Sequence, residues 1–182
     1  MSDLAFFEPE HPQWYALYTK PRCEKKVGEH LEKNEIQFYL PLIKHYNPSR
    51  RISFMVPLIP SYVFINIPMS HDFWYKIINS AYVVSFVNYK KIPQPIPDYE
   101  IDSLIKVVQN VDISESIKLN PVDITGKLVK IIEGPFAGLI GRVSFIKPNK
   151  KKIVINIENI ALSVAVEVNA EYVQKIEDFN EF

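Results

Sequence analysis

The chain has 182 residues, of which 47% are hydrophobic, and its 21 basic side chains balance 21 acidic ones. That length and apolar content can bury the core of one ordinary domain or of two small ones. The balanced charge excludes a nucleic-acid binder held by net charge alone, though not a local basic face, and a single cysteine excludes a disulfide framework and any multi-cysteine metal site. The acidic N-terminal stretch and the short apolar runs predict a soluble, cytoplasmic protein.

Strands and helices alternate in the first part of the chain, and periodicity indicates where they lie. The predicted elements are a strand over 14–19, a helix over 22–34, a strand over 36–46, a hairpin tip at 47–51, a returning strand over 54–67, a helix over 72–79 and a strand over 83–89. Ser70 is the expected cap of the second helix, and Asp98 begins a third. This order predicts an α+β fold in which helices cover an antiparallel sheet as an α/β sandwich.

The glycines indicate a change of architecture near residue 120, because four of the five lie between Gly126 and Gly141. Short strands over 127–132, 139–146, 153–158 and 161–168, with a turn at 147–150, predict a small β-barrel. The predicted organisation is therefore an N-terminal tail over 1–12, a first domain over 13–111, a linker over 112–121 and a barrel domain over 122–182.

Residues that could support catalysis or bind a metal do not cluster. The four histidines are scattered without a His-x-x-x-His pair, and the stretch 134–138 lacks the Lys-Ser/Thr of a phosphate-binding loop. Pro135 also removes a backbone donor there, so a turn between strands is the simpler interpretation. We expect no enzymatic activity, no metal site and no cofactor.

A basic stripe lies on the first predicted helix, where residues follow one another at about 100°. Its members are Arg22, Lys25, Lys26, Glu29 and Lys33. Between Lys20 and Arg51 there are eight basic residues and four acidic ones. An ordinary solvated helix face, with Glu29 and Lys33 as an i,i+4 pair, is one interpretation, and the local charge excess favours a phosphate-binding patch.

Aromatic residues mark a second candidate surface on the returning strand. Tyr62 and Phe64 share one face of it, whereas Val63 and Ile65 share the other. One face covers the core, and the other then exposes aromatic rings to a partner. Each ring taken singly is more often a core residue, which is the alternative.

Three segments resemble the NusG family of transcription factors. Residues 14–20 and 59–65 resemble the two signature segments of the NusG N-terminal domain, and residues 129–143 resemble a KOW motif, whose marker residues here are Gly134, Pro135, Phe136, Gly138 and Gly141. Ser61 stands where the general factor has glycine, and residues 29–33 with 40–43 are closer to the specialised paralogue RfaH. The opening segment is also similar to UpxY-type antiterminators of polysaccharide operons.

The resemblance implies a fold, partners and site residues. The first domain would bind the clamp helices of the largest RNA polymerase subunit and the non-template DNA strand, suppressing pausing and termination, and the second would be an SH3-like KOW barrel. The positions that match polymerase-binding residues are Tyr18, Ile59, Tyr62 and Phe64. Those that match positions facing the non-template strand are Lys20, Lys26, His30 and Lys33. The basic stripe adds Arg22 and Lys25 to the predicted nucleic-acid residues, and the flat ring of His30 makes it the expected base reader.

We therefore predict a monomeric, operon-specific antitermination factor whose KOW domain binds a ribosomal protein, with Rho less favoured. Residues 157–160 lack the glycine and arginine of the Rho-binding pattern and carry Glu158 instead. A general NusG that couples polymerase to Rho or the ribosome is one alternative. A KOW-type RNA- or ribosome-binding protein is the other.

Overall fold

A computed structural model describes residues 11–89, 92–110, 118–121, 127–147, 150–157 and 162–176 of the chain. Two compact units are distinguished, one built from residues up to 43 with 54–101 and the other from 44–53 with residues from 102 onward. The described helices are α1 (Glu24–Lys33), α2 (His71–Ile78) and α3 (Asp98–Asn110). Antiparallel sheets accompany these helices, so the predicted α+β class is confirmed.

The first unit is organised around a four-stranded antiparallel sheet. Its strands, in the spatial order β2-β5-β1-β6, are β1 (Gln13–Thr19), β2 (Gln37–Tyr39), β5 (Tyr62–Ile67) and β6 (Val83–Phe86). Tyr15, Val63 and Ile65 point from this sheet into a core that includes Val27 of α1 and Ile77 of α2. Both helices therefore cover one face of the sheet, because each presents its apolar stripe there.

Prolines divide the long predicted hairpin. Its arms are interrupted at Pro41 and Pro60, which leaves β3 (Leu42–Asn47) and β4 (Ile52–Pro57) as a separate two-stranded sheet. A proline has no N–H to donate to a ladder, so each arm breaks close to one. A second short pair follows β6, formed by β7 (Asn88–Tyr89) and β8 (Ile92–Pro93).

Helix α1 begins two residues later than its apolar spacing predicts. Arg22 has φ 62°, in the left-handed region, so it cannot belong to a right-handed helix. Cys23 becomes the N-terminal cap position without a side-chain hydrogen bond. Helix α2 begins as predicted after Ser70, whose hydroxyl oxygen accepts from the Phe73 N–H at 3.3 Å.

The second unit contains a six-stranded antiparallel sheet. Its strands are β9 (Lys118–Pro121), β10 (Leu128–Ile131), β11 (Ile140–Lys147), β12 (Lys150–Ile157), β13 (Leu162–Asn169) and β14 (Val173–Lys175), in the spatial order β14-β10-β11-β12-β13-β9. Residues 118–121 differ from the predicted linker, because β9 pairs with Leu162–Ala165 of β13. A four-residue strand is too short to show a period, so only the pairing reveals it.

Candidate docking and nucleic-acid interface

Two tyrosines stand side by side where β1 ends and β5 begins. Tyr18 is paired with Tyr62 in the strand register, and their ring centroids are 5.6 Å apart at an interplanar angle of 67°. Tyr18 is 41% exposed, and Tyr62 is half-buried. Burial, with a further contribution from Tyr18, raises the pKa of Tyr62 above its ordinary value of 10.0. A tyrosine hydroxyl is protonated at neutral pH even at its ordinary pKa, so Tyr62 can donate to a partner on this aromatic surface.

Phe64 and Ile59 do not belong to the exposed surface, which corrects the expectation that the whole aromatic face is open. Both are 0% exposed. Phe64 lies in the middle of the central strand β5, opposite Ala16 on one side and Tyr39 on the other. Burial of Phe64 requires a covering layer over the face that it shares with Tyr62, whereas Tyr18 and Tyr62 lie close to strand ends and keep exposed surface. Of the four predicted polymerase-binding residues, these two tyrosines are the ones with exposed side-chain surface.

The turn before β5 is tied to the basic helix. Ser61 has φ 66°, and its N–H donates to the Glu24 carboxylate at 2.7 Å, while its carbonyl accepts from the Thr19 N–H at 2.8 Å. Glu24 is only 5% exposed. This buried carboxylate therefore fixes the start of α1 relative to the tyrosine pair. The sequence analysis did not single out Glu24, because its hydrogen-bond partner is a backbone N–H group 37 residues away in the chain.

The predicted nucleic-acid residues form an exposed basic surface along α1 and the residues before it. Lys20, Arg22, Lys25, Lys26 and Lys33 are exposed, and His30 is half-buried. The Lys25 ammonium donates to the Met55 carbonyl of β4 at 2.7 Å, so part of its hydrogen-bonding capacity is used within the first unit. Lys26 and Lys33 lie exposed on the side of α1 away from Val27 and Leu31, which are buried, and Lys20 and Arg22 are exposed in the segment before the helix.

His30 lies one turn before the end of α1, beside Asn34. The Asn34 amide donates to the His30 main-chain carbonyl at 2.7 Å, which satisfies one of the last carbonyls of the helix. The same amide nitrogen is 3.5 Å from His30 Nε2, which is long for a hydrogen bond. Asn34 therefore holds His30 mainly through its main-chain carbonyl, with at most a weak contact to the ring.

An aromatic residue that sequence reasoning did not single out completes this surface. Tyr82, in the turn between α2 and β6, lies beneath two ammonium groups, with Lys26 Nζ 5.0 Å and Lys20 Nζ 5.9 Å from its ring centroid. Tyr82 as a whole residue is 37% exposed. A single aromatic residue in a turn carries no periodic signal, so only the tertiary structure brings it to the lysines.

The glycine-rich motif of the second unit forms the turn between β10 and β11. Gly134 and Gly138 have φ values of 82° and 89°, which favour glycine, and Phe136 between them is buried. Gly138 N–H donates to the Ile131 carbonyl at 2.7 Å, and Ala137 N–H donates to the Gly134 carbonyl at 3.1 Å. These bonds agree with the expected turn between strands, in which backbone donors are used internally.

Comparison with models of protein families assigns the chain to a family. A family model described as "Transcription termination factor nusG" matches residues 12–105, just over half of the sequence. The chain belongs to the NusG family. A model described as "KOW motif" matches residues 125–156, so the resemblance to a NusG N-terminal domain followed by a KOW motif is confirmed.

Relatives of known name are distant in sequence but similar in length. A transcription termination/antitermination protein NusG from Rickettsia conorii is 23% identical, with 94% of each chain covered. The protein of the same name from Halalkalibacterium halodurans is 26% identical over 90% of this chain and 98% of its own. A solved structure of Thermotoga maritima NusG has a TM-score of 0.58 and 25% identity, covering 92% of this chain and 99% of that one.

These similarities identify a NusG-type transcription termination/antitermination factor. The tyrosine pair, Glu24 and the basic surface all lie inside the part of the chain that matches the NusG model. Across the described residues, no group of three His, Cys, Asp or Glu side chains could hold a metal ion. The helices found within the same ranges are too short or too polar to cross a membrane. Assignment to a specialised paralogue stays a prediction.

Proposed function

We propose that this NusG-family chain is a processive elongation and antitermination factor that docks on the clamp helices of the largest RNA polymerase subunit and follows the non-template DNA strand. The observation that carries the proposal is the continuity of two surfaces. Tyr18 of the tyrosine pair and Lys20 of the basic surface are two residues apart on the same extended segment. A partner protein held by the tyrosines therefore brings its nucleic acid next to the lysines.

The aromatic pair suits a protein partner. Tyrosines are frequent hot spots, because their rings fill a desolvated contact while the hydroxyl keeps a hydrogen bond. The β1–β5 pairing and the Glu24–Ser61 hydrogen bond hold the two tyrosine residues in position. Binding a partner therefore immobilises few side chains, and the entropic cost of docking is small. We propose that the apolar side of the clamp helices packs against these rings.

The basic surface suits a weaker, secondary contact. Exposed lysines hold phosphates mainly through counterion release, with a log–log salt slope of about −0.7 per contact for single strands. Three or four contacts give weak binding alone, which becomes effective once polymerase docking supplies a high local concentration. If polymerase docking comes first and the phosphate contacts second, the factor stays bound to the polymerase during elongation.

An operon-specific role is favoured by sequence features. Residues 29–33 and 40–43 resemble RfaH, and Ser61 replaces the glycine of the general factor at a left-handed turn. A general NusG that couples polymerase to Rho is the second candidate. It is favoured by the names of the relatives, which join termination with antitermination. In the specialist proposal the chain acts as a monomer, without enzymatic activity, and its KOW unit recruits a ribosomal protein.

The docking proposal predicts that Tyr18→Ala combined with Tyr62→Ala loses polymerase binding. Two aromatic hot spots cost about 2 kcal/mol or more each on truncation, so affinity for the isolated clamp-helix coiled coil should fall by roughly a thousandfold. Isothermal titration with the full chain measures this loss.

Tyr75→Ala is the matched control. Tyr75 is 60% exposed, but it lies on helix α2 and not on the strands that carry the tyrosine pair. Its substitution should leave the clamp-helix affinity unchanged. Equal affinities of the double variant and the wild type, with both folded by circular dichroism, would contradict the docking proposal.

A further inference from the structure

The turn that carries Tyr82 holds an unusual backbone conformation for an aromatic residue. Tyr82 has φ 73°, in the region that favours glycine. The Val83 N–H donates to the Ser80 carbonyl at 3.3 Å, and the Lys20 N–H donates to the Tyr82 carbonyl at 2.8 Å. The second bond joins the turn to the residue that follows β1. A strained residue held by its surroundings on the surface points to a role for its side chain.

The surroundings of the ring indicate which role. Two ammonium groups, from Lys26 and Lys20, lie 5.0 Å and 5.9 Å from the ring centroid, and more than a third of the residue is exposed. An accessible aromatic ring flanked by cations has the chemistry of a single-strand nucleic-acid site, in which a base stacks on the ring while cations hold the adjacent phosphates.

We propose that Tyr82 is a stacking platform for one unpaired DNA base, with Lys20 and Lys26 holding the phosphates beside it. This inference rests on the proposed function, in which the basic surface meets the displaced non-template strand. Stacking of a base on an aromatic ring is stronger than a cation–π contact at an exposed site. A base therefore displaces an ammonium group from the ring, and the freed lysine turns to the phosphate.

The test uses Tyr82→Gly in the full chain. Glycine adopts φ 73° without strain, so the variant should unfold at a temperature no lower than the wild type. Tyr82→Asn is a second variant that also tolerates this backbone. Tyr82→Phe keeps the ring, and Tyr75→Ala removes an exposed tyrosine elsewhere.

Affinity for a fluorescein-labelled oligothymidylate is measured by anisotropy across a salt series. Loss of one stacked base should weaken binding about tenfold in Tyr82→Gly and Tyr82→Asn at every salt concentration. The salt slope should not change, because the phosphate contacts remain. Lys20→Gln and Lys26→Gln should instead make the slope shallower by about 0.7 each. Tyr82→Phe and Tyr75→Ala should bind as the wild type does.

Photocrosslinking in assembled paused complexes then identifies the strand. A 5-iodouracil base is placed either in the non-template DNA or in the nascent RNA, and the DNA crosslink should depend on an aromatic residue at position 82. Wild-type affinity of Tyr82→Gly with shallower slopes in the lysine variants, or crosslinking from RNA alone, would overturn the stacking proposal and leave the basic surface intact. If the wild type showed neither salt-dependent binding nor a DNA crosslink, the non-template part of the proposed function would fail as well.

Discussion

At the scale of single residues, three of the five non-glycine residues with positive φ in the described ranges lie beside the candidate interface. Arg22, Ser61 and Tyr82 all have positive φ values, and each lies in a turn next to β1, β5 or β6. A left-handed conformation costs a non-glycine residue about 1–2 kcal/mol. At Ser61 the turn is held on both sides, by Glu24 and by Thr19. The hydrogen bonds therefore offset a conformational cost that a glycine would avoid.

Removing the Glu24 carboxylate should destabilise the protein. Glu24→Ala leaves the buried Ser61 N–H without its acceptor, which should lower the free energy of unfolding by about 2 kcal/mol. Glu24→Gln keeps an acceptor oxygen, so its loss should be smaller. Urea unfolding followed by circular dichroism measures both.

Glu29→Ala is the control for the Glu24 variants, because Glu29 lies exposed on the same helix. Surface substitutions of this kind change the free energy of unfolding by about 0.5 kcal/mol or less. Equal midpoints for Glu24→Ala and Glu29→Ala would show that the buried hydrogen bond contributes nothing.

At the scale of elements, α1 performs two tasks with its two faces. Its exposed face carries the lysines, and its buried face includes Val27, Gly28 and Leu31. Gly28 lies against β2, where an added Cβ would be 2.9 Å from Cε2 of Phe38. The close approach of α1 to β2 thus depends on a position without a side chain. This packing distance also positions the exposed lysines of α1 relative to the sheet.

Gly28→Ala should destabilise the protein although alanine is the better helix former. The propensity gain is about 1 kcal/mol, whereas overpacking against the Phe38 ring costs about 1–3 kcal/mol. The net loss should be about 1 kcal/mol, measured by urea unfolding. In a Phe38→Leu background the contact is relieved, so Gly28→Ala should become stabilising there. The same effect in both backgrounds would contradict a direct contact.

At the scale of the whole molecule, one unit carries the candidate docking and nucleic-acid surfaces and the other carries the KOW motif. The loop that distinguishes a Rho-binding factor falls at residues 157–160, of which 158–160 lie outside the described residues. Glu158 contributes a negative charge where the Rho-binding pattern has apolar and basic groups. This difference separates the two candidate functions of the molecule.

We expect the full chain not to bind Rho. Titration of the isotope-labelled protein with Rho at micromolar concentration should give no saturable amide shifts in the KOW unit, because residues 157–160 lack the matching glycine and arginine. The combined substitution Glu158→Phe, Asn159→Gly and Ile160→Arg should create binding, which controls for the competence of the assay. Saturable shifts in the unchanged chain would favour the general factor.

The sequence by itself predicted the fold class, the Ser70 cap and the KOW turn. Each of these depends on a local property: a period, a side-chain acceptor or a glycine conformation. Similarity alone also identified the family. The basic residues of α1 were found for the same reason, since helical spacing is enough to place them on one face.

Only the tertiary structure decided which candidates reach the surface and which side chains meet. Phe64 and Tyr62 share a face, yet one is buried and the other half-exposed, because alternation fixes the face of a side chain and not how far other parts of the fold cover that face. The Glu24–Ser61 hydrogen bond and the Lys26–Tyr82 contact join residues far apart in the chain. Such pairs leave no periodic trace in a sequence, since their distance is set by sheet register and helix packing.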